Sequence, residues 1–321
     1  MENPADTDSA TEIALRSRFP VTIISCDLRS ASRLRELSRR LVGIEWIRLS
    51  AVVWDAQISN SVPLATSNAT FIESNANLGY CEAIHRALPG DLGEASPVIV
   101  MNPDIAFDPE QLAEFCSRWL VWDETSGQIA GGPSIIFPSI RTDGVNEKPF
   151  SFNSAPRQAL EFLVGESYGR SRSKGEPRWS SGCFFLTTAG VLRLHLPRGD
   201  FFLYAEDLAF CKSAADAGIP SIFDNAFTIT HERGFSPNQT WKQLLAILGI
   251  AQTFPKRWKR PLLFAALLGT IARSLTPSRW YARAVVWPLM RMLIGKNESQ
   301  MQYALRKGWA VGDQPVVNNC M

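Results

Sequence analysis

The most constraining feature of the sequence is a strand, a short polar loop and a helix that follow one another between residues 98 and 120. Val98-Ile99-Val100-Met101 is an apolar, β-branched run that predicts a buried strand. After the loop, Asp108 is a typical helix N-cap, with Pro109 at the first helical position and Gln111 at the third. One apolar face follows, made of Leu112, Phe115, Cys116, Trp119 and Leu120. This unit predicts a central strand with a helix packed on the sheet.

The same alternation occurs earlier in the chain. Val21-Thr22-Ile23-Ile24 predicts the first strand, and Val52-Val53 predicts a second strand that ends at Asp55. Between them a helix is predicted by leucines at helical spacing, Leu34, Leu37 and Leu41. Alternating strands and helices predict an α/β fold with a mostly parallel sheet and helices on both faces. Because ligands bind beyond the carboxyl ends of such strands, Asp55 and Asp104 are candidate site residues.

The second half of the chain is less regular. Residues 137–178 are rich in Ser, Gly, Pro and charge, which predicts a long, mobile surface loop. A strand at Cys183–Leu186, an extended piece at Phe201–Tyr204, a helix from about Asp207 to Gly218 and a strand from Ile219 to Thr230 are predicted to follow. The sequence contains neither the Gly-x-Gly-x-x-Gly pattern of dinucleotide sites nor the Gly-x-x-x-x-Gly-Lys pattern of ATP sites, which argues against dinucleotides and ATP as cofactors.

The charge of the chain is divided at about residue 232. The formal net charge is +2, but residues 1–232 hold 20 basic and 29 acidic side chains, a net −9, whereas residues 233–321 hold 13 and 2, a net +11. The polar start of the chain predicts a flexible leader (1–18), and the charge division separates an α/β domain (19–235) from a basic helical extension (236–321). The leader lacks a signal-peptide pattern and the six cysteines are scattered, so a cytoplasmic protein with reduced thiols is expected.

Asn102 and Asp104 form the first candidate site. They alternate along an extended segment just past a predicted strand end, so their side chains face the same side. A carboxylate there suits Mg²⁺ or Mn²⁺, which takes further oxygens from a diphosphate. A plain Asn-Pro-Asp turn explains the same residues equally well.

Further candidates are an acidic pair, a tryptophan and a histidine. Glu206 and Asp207 precede a predicted helix, where acidic residues are favourable because of the helix dipole alone, but where a carboxylate can also accept a proton from an attacking hydroxyl. Trp179 precedes a strand and either stacks on a sugar ring or packs half-buried. His231 ends the last predicted strand and is either a structural residue or a ligand.

In their order and spacing, these segments resemble the family 2 inverting glycosyltransferases, in particular the bacterial rhamnosyltransferase-like branch. The resemblance covers roughly Val21 to Trp258. Its motifs are Asn77-Leu78-Gly79-Tyr80, Met101-Asn102-Pro103-Asp104, Trp179-Ser180-Ser181-Gly182, Phe202-Leu203-Tyr204-Ala205-Glu206-Asp207 and His231-Glu232-Arg233-Gly234-Phe235-Ser236. It implies a GT-A nucleotide-diphospho-sugar transferase fold and metal-dependent transfer of a rhamnose-like or other hexose with inversion.

The resemblance also implies a role for each matching residue. Asp207 would be the general base, and Glu206 would help to position the acceptor. The donor side would comprise Asp55, Gly79, Asn102 and Asp104, and Asp104 and His231 would hold Mg²⁺ or Mn²⁺. The acceptor side would comprise Trp179, Ser181 and Gly182.

The sequence departs from the family pattern mainly on the nucleotide side. The first strand ends in Ser25-Cys26-Asp27 where Thr-Tyr-Asn is usual, and the second has Trp54-Asp55-Ala56 where Asp-Asn-Gly-Ser is usual. Before the acidic pair, Arg198-Gly199-Asp200 replaces the usual Gly-Gly-Phe-Asp. The identity of the nucleotide is therefore the least constrained property.

The basic extension has its own pattern. Between Arg233 and Asn297 there are eleven Lys or Arg and no acidic residue, interleaved with Trp, Tyr and Leu. This favours an in-plane element on an anionic membrane surface, and a helical extension packed on the acidic domain is the alternative. Its longest uncharged apolar segment, Pro261 to Ala272, falls short of the roughly 20 residues that span a membrane. The long apolar runs argue against nucleic acid as a partner.

The expected partners are thus a nucleotide-diphosphate sugar donor, a glycan or polyprenyl-diphosphate-linked acceptor in cell-surface polysaccharide synthesis, and an anionic membrane surface. Two other functions stay open. One is a sugar-nucleotide nucleotidyltransferase, although Ser25 to Arg33 lacks the glycine-rich basic loop such an enzyme needs. The other is a catalytically inactive, membrane-associated member of the family.

Overall fold

A computed structural model describes most of the chain. The described residues are 21–27, 31–42, 44–53, 69–120, 122–123, 128–129, 132–164, 178–232, 239–274, 281–294 and 298–307. The predicted leader and the candidate residue Asp55 lie outside these ranges.

Strands and helices alternate over the first part of the described residues, and helices alone make up the last part. The strands are β1 (Val21–Asp27), β2 (Ile47–Val53), β3 (Ala69–Glu73), β4 (Pro97–Met101), β5 (Ile105–Ala106), β6 (Trp122–Asp123), β7 (Gln128–Ile129), β8 (Ile135–Thr142), β9 (Val145–Asn146), β10 (Phe150–Ser151), β11 (Arg178–Trp179), β12 (Phe184–Thr188) and β13 (Ser221–His231). The helices are α1 (Ala31–Arg40), α2 (Tyr80–Ala87), α3 (Pro109–Trp119), α4 (Ala155–Val164), α5 (Ala189–His195), α6 (Glu206–Asp216), α7 (Gln239–Gln252), α8 (Lys256–Ser274), α9 (Tyr281–Ile294) and α10 (Gln300–Arg306).

One large sheet organises the α/β part. Its strand order is β3-β2-β1-β4-β12-β8-β13-β5, with β9 paired to β8. The strands β1 to β4 are parallel to one another, and β8 and β13 run in the same direction as these four. The strand β12 is antiparallel to both of its neighbours, β4 and β8. The predicted mostly parallel sheet is therefore confirmed.

Helices cover both faces of this sheet, as predicted. Successive residues of β1 belong to different cores, because side chains alternate between the faces of a strand: Ile23 lies in one buried cluster and Ile24 in another. The helices α1 and α3 pack with the first cluster, and α2, α5 and α6 pack with the second. The predicted cap of α3 is also confirmed, since the Asp108 carboxylate accepts hydrogen bonds from the backbone N–H groups of Glu110 and Gln111 at 2.8 and 3.3 Å.

The predicted loop at 137–178 is wrong over its described part. The strand β8 runs through Ser139 and Pro138 in the middle of the sheet, and β9, β10 and α4 follow it. Four of its apolar side chains are buried, Ile135, Ile136, Phe137 and Ile140. The polar composition misled the prediction because β8 owes its burial to β12 and β13, which come later in the chain. The predicted extended piece at Phe201–Tyr204 is instead an irregular segment.

The four last helices pack together against the α/β part. A buried cluster joins α7, α8, α9 and α10 to Phe162 of α4, Leu208 of α6 and Phe202. No helix of the described residues is long and apolar enough to cross a membrane. The basic end of the chain therefore forms a helical layer that packs on the α/β part.

Candidate active site

Two antiparallel strands place the first candidate residues at one end of the sheet. Met101, the last residue of β4, lies opposite Phe184, the first residue of β12. The loop after β4 and the loop before β12 therefore lie side by side, and the Asn102 N–H donates to the Cys183 carbonyl at 2.8 Å. Asn102 and Asp104 thus lie at the same sheet edge as Ser181 and Gly182.

Asp104 and His231, which are far apart in sequence, meet at this edge. The residue after Asp104 begins β5, and Ile105 pairs with His231 at the end of β13. The His231 Nε2 atom lies 3.5 Å from Asp104 Oδ1, and both side chains are mostly buried. The Arg33 guanidinium lies 3.5 Å from the other Asp104 oxygen. Sequence reasoning missed Arg33, because α1 carries several arginines and only the fold selects the one that faces Asp104.

The Asp104 and His231 side chains fit a divalent cation as part of a larger set of ligands. Carboxylate oxygen and imidazole nitrogen both bind Mn²⁺, whereas Mg²⁺ prefers oxygen. Among the described residues no group of three or more His, Cys, Asp and Glu side chains forms a complete metal cage. A two-residue set of this kind suits an ion that completes its shell with water and phosphate oxygens.

The acidic pair lies at the first turn of α6, after a strained piece of backbone. Tyr204 and Ala205 have φ angles of 68° and 66°, a left-handed conformation that costs non-glycine residues of the order of 1–3 kcal/mol. The Asp207 carboxylate accepts hydrogen bonds from the backbone N–H of Gly182 at 3.1 Å and of Leu208 at 2.8 Å. Both bonds fix the direction in which this carboxylate points.

Glu206 and Asp207 are electrostatically coupled. Burial, followed by the charge of Asp207, raises the pKa of Glu206 to about 8. One oxygen of Glu206, Oε2, is enclosed without a hydrogen-bond partner, although the residue as a whole keeps some exposed surface. Burial also raises the pKa of Asp207, against the opposing effect of the hydrogen bonds from Gly182 and Leu208. The backbone hydrogen bonds therefore favour the ionised form of Asp207, whereas burial and the neighbouring charge favour the protonated form of Glu206.

Two glycines allow the site segments to approach one another closely. Gly79 has a φ of 72°, and a Cβ atom there would clash with the Phe202 carbonyl, which accepts the Tyr80 N–H at 2.9 Å. At Gly182, a Cβ atom would lie 3.0 Å from the Cβ of Asp207. The Tyr80 hydroxyl donates to the Gly182 carbonyl at 2.7 Å. The start of α2, the loop before β12 and the acidic pair therefore form one connected unit.

A cavity of about 640 Å³ opens beside Asp207. Trp179, Ser181 and Asp207 line it, whereas Gly79, Asn102, Asp104 and His231 do not. Its other walls are largely aromatic and apolar, and include Phe150, Phe152, Tyr204, Ile250 and Phe254. Trp179 stacks on Phe150 with 4.7 Å between the ring centroids, so it both packs against the protein and faces the cavity. The candidate residues thus divide into a sheet-edge group and a cavity group, which Gly182 connects.

Gln300 of α10 holds the segment before the acidic pair, and sequence reasoning missed it. Its side chain is fully buried. The Oε1 atom accepts from the N–H groups of Phe202 and Leu203 at 2.5 and 3.0 Å, and Nε2 donates to the carbonyls of Leu203, Tyr204 and Leu245. The only signal in the sequence is the capping box formed by Ser299 and Gln302, which marks the start of α10.

Comparisons with known proteins find weak similarity to several solved structures. No family model matches the sequence, and no curated protein matches it either. A crystal structure of a mycobacterial protein has 13% identity and a TM-score of 0.48, over 75% of each chain. Glucosyl-3-phosphoglycerate synthase from Mycobacterium tuberculosis, in complex with Mn²⁺, uridine diphosphate and phosphoglyceric acid, has 15% identity and a TM-score of 0.46, over 76% of this chain and 81% of that one.

A third structure is the inositol-1-phosphate CTP transferase from T. maritima, with 14% identity and a TM-score of 0.39, over 77% of this chain and 96% of that one. All three TM-scores lie below 0.5. The assignment of a function to this chain therefore rests on its own residues.

Proposed function

We propose that the protein is a metal-dependent inverting glycosyltransferase of the GT-A type. It would move a rhamnose-like or other hexose from a nucleotide-diphosphate donor to a hydroxyl of a glycan or polyprenyl-diphosphate-linked acceptor in cell-surface polysaccharide synthesis. The observation that carries the proposal is the connection through Gly182. The Gly182 N–H donates to Asp207, which faces the cavity. The next residue, Cys183, accepts a hydrogen bond from Asn102 at the sheet edge that carries Asp104 and His231.

The sheet edge is the donor side of this proposal. Asp104 and His231 would hold Mg²⁺ or Mn²⁺, which supplies positive charge for the diphosphate that leaves the sugar. Arg33 adds a second positive charge beside Asp104. Asn102 lies at this edge, and Gly79 lies on the loop before α2, whose Tyr80 hydroxyl donates to the Gly182 carbonyl. Because Gly79 has no Cβ atom, the start of α2 can lie against Phe202, in the segment before the acidic pair.

Asp207 is the general base of the proposed reaction. Its raised pKa makes the ionised carboxylate a better proton acceptor at neutral pH than an exposed aspartate. As the acceptor oxygen forms its bond to the anomeric carbon, its proton passes to Asp207 and the bond to the diphosphate oxygen breaks. Because the hydroxyl attacks from the face opposite the leaving group, a single displacement inverts the anomeric configuration. Glu206 would help to position the acceptor; it does not line the cavity, so it would act through the neighbouring Asp207.

The cavity is the acceptor side. The aromatic faces of Trp179, Phe150 and Tyr204 suit the apolar faces of a sugar ring, and Ser181 offers a hydroxyl next to the base. The main competing function is a nucleotidyltransferase, which also uses a carboxylate-bound cation. It differs in its substrate, because it needs a nucleoside triphosphate and a sugar phosphate.

A thermal-shift screen separates these functions. A ligand that binds the folded state raises the melting temperature, by an amount that grows with its concentration relative to Kd. We expect UDP or dTDP to raise it only when Mn²⁺ or Mg²⁺ is present, and we expect Asp104→Ala to abolish the effect. Asp91→Asn, an exposed carboxylate outside the site, serves as the control. A shift with nucleoside triphosphates but with no diphosphate would favour the nucleotidyltransferase.

A further inference from the structure

An apolar surface formed by α4 and α8 is the most prominent feature that the proposed reaction leaves unused. Six large apolar side chains on the two helices are each between 39% and 60% exposed: Leu160, Leu163, Val164, Phe264, Leu268 and Ile271. We call these six residues the apolar face. Exposed apolar residues that occur singly are ordinary, but a group of six on two adjacent helices marks an interaction site.

The residues of the apolar face belong to one continuous surface because α4 and α8 touch backbone to backbone. A Cβ atom at Gly269 would clash with the Phe162 carbonyl and the Leu163 backbone, so only glycine permits this approach. The Arg273 guanidinium also donates to the Phe162 carbonyl at 3.0 Å. Leu163 of α4 thus lies beside the turn of α8 that carries Leu268 and Ile271.

On α8, two exposed arginines lie next to the apolar face. Arg257, Arg260, Phe264, Leu268 and Ile271 recur at intervals of three or four residues, which places them along one side of the helix, and all five are exposed. Neither arginine has an acidic partner among the described residues, and the sequence from 239 to 294 contains no Asp or Glu at all. The helix α9, which packs against α8, exposes Trp287, Arg291 and Ile294 at the same kind of spacing.

We infer that the apolar face and the arginines beside it dock the protein on an anionic lipid bilayer, with α4 and α8 lying in the plane of the interface. Apolar side chains would enter the boundary between headgroups and acyl chains, while the arginines contact anionic headgroups. This binding does not depend on the proposed reaction. An apolar partner protein would account for the six apolar residues, but exposed arginines on helices that contain no Asp or Glu, α8 and α9, fit anionic lipid better.

The position of the face has a consequence for the acceptor, and this step rests on the proposed function. Gln158 of α4 lines the cavity beside Asp207, and Leu160 and Leu163 of the same helix belong to the apolar face. Docking through α4 would therefore hold the cavity close to the membrane surface. A sugar attached to a lipid could then reach Asp207 while its lipid anchor stays in the bilayer.

Vesicle flotation with the full-length protein tests the inference. We expect binding to vesicles that contain phosphatidylglycerol, weaker binding to vesicles of phosphatidylcholine alone, and loss of binding at high salt. The pair Arg257→Gln and Arg260→Gln should lower the affinity for anionic vesicles by roughly tenfold to thirtyfold. The pair Phe264→Gln and Leu268→Gln should lower it at least as much. All four positions are exposed, so the variants are expected to fold.

Matched controls remove the same groups elsewhere on the surface. Leu194→Gln replaces an apolar side chain that is 77% exposed, and Arg198→Gln replaces an exposed arginine; both should bind vesicles like the wild type. Asp207→Asn should also bind normally, so failure of the catalytic proposal would not affect this test. The inference is overturned if the protein does not bind anionic vesicles, or if both pairs bind like the wild type. It is also overturned if Phe264→Gln with Leu268→Gln dissociates a dimer but leaves vesicle binding unchanged.

Discussion

At the scale of single residues, Glu206 and Asp207 are adjacent in sequence but differ in their surroundings. Asp207 accepts two backbone hydrogen bonds, whereas an oxygen of Glu206 is enclosed without a partner. Backbone N–H groups stabilise the ionised form of a carboxyl, and enclosure favours the neutral form. The pair therefore separates into a carboxylate that can accept a proton and a carboxylic acid that holds one.

This separation predicts a dependence of stability on pH. The folded protein holds a proton on Glu206 up to a pKa of about 8, while the unfolded chain releases it near the ordinary value for glutamate. The unfolded state binds fewer protons between these two values, so stability falls as pH rises through this window. Glu206→Gln should remove this part of the decline. Melting temperatures of both proteins between pH 5 and 9 should converge at acidic pH and diverge at alkaline pH, and parallel curves would contradict the assignment.

Gly182 is predicted to control the position of the base. In Gly182→Ala the new methyl group would lie 3.0 Å from the Cβ of Asp207, so that side chain must move. A base displaced by part of an ångström should lower kcat by roughly tenfold to a hundredfold, with little change in the melting temperature. Gly90→Ala is the matched control, because nothing lies within 4 Å of its added methyl. Equal kcat values for the two variants would show that Gly182 does not set the position of Asp207.

At the scale of elements, the helix α10 stabilises a segment nearly a hundred residues earlier in the chain. Gln300 makes five hydrogen bonds, four of them to the backbone of Phe202, Leu203 and Tyr204 and the fifth to Leu245. Tyr204 and Ala205 follow in left-handed conformations that the segment would not adopt without support. The geometry of the acidic pair therefore depends on a helix of the basic C-terminal layer.

Substitution of Gln300 should consequently affect both stability and activity. Gln300→Ala leaves buried backbone N–H and C=O groups without partners, which should cost about 2–4 kcal/mol in the free energy of unfolding. We expect kcat to fall while the affinity for the donor nucleotide, bound at the sheet edge, is retained. Leu305→Ala, on the exposed side of the same helix, should change neither quantity. If Gln300→Ala lost stability but kept the wild-type kcat, α10 would have no influence on the acidic pair.

Elements whose burial follows from their own residues could be predicted from the sequence. The runs at Val21 and Val98 and the capped helix α3 are of this kind, and the structure confirms them. The strand β8 and the helix α4 that follows it could not be predicted in this way, because β8 is buried between β12 and β13, which come later in the chain. The same limit applies to the site. Asp104, His231 and Asp207 stand in recognisable motifs, whereas Arg33 and Gln300 reach the site only through long-range packing.

At the scale of the whole molecule, the two oppositely charged parts are one packed structure. The basic helices cover the irregular segment before the acidic pair, and Ala246, Ile250 and Phe254 form a wall of the cavity that Asp207 faces. The sequence leaves two alternatives for the basic helices: they pack on the α/β part, or they bind a membrane surface. The structure allows both at once. The inner side of α8 is buried against the protein, and its outer side carries Arg260 and Phe264.

The central claim is that Asp104 and Asp207 serve the two halves of one sugar transfer. Its most direct test is the metal-dependent release of nucleoside diphosphate from UDP- and dTDP-sugars, measured for the wild type, Asp104→Ala, Asp207→Asn and the control Asp91→Asn. We expect release by the wild type and the control only with Mn²⁺ or Mg²⁺, and a loss of roughly a hundredfold or more in each of the other two variants. Release at the wild-type rate by Asp104→Ala and Asp207→Asn would contradict the claim.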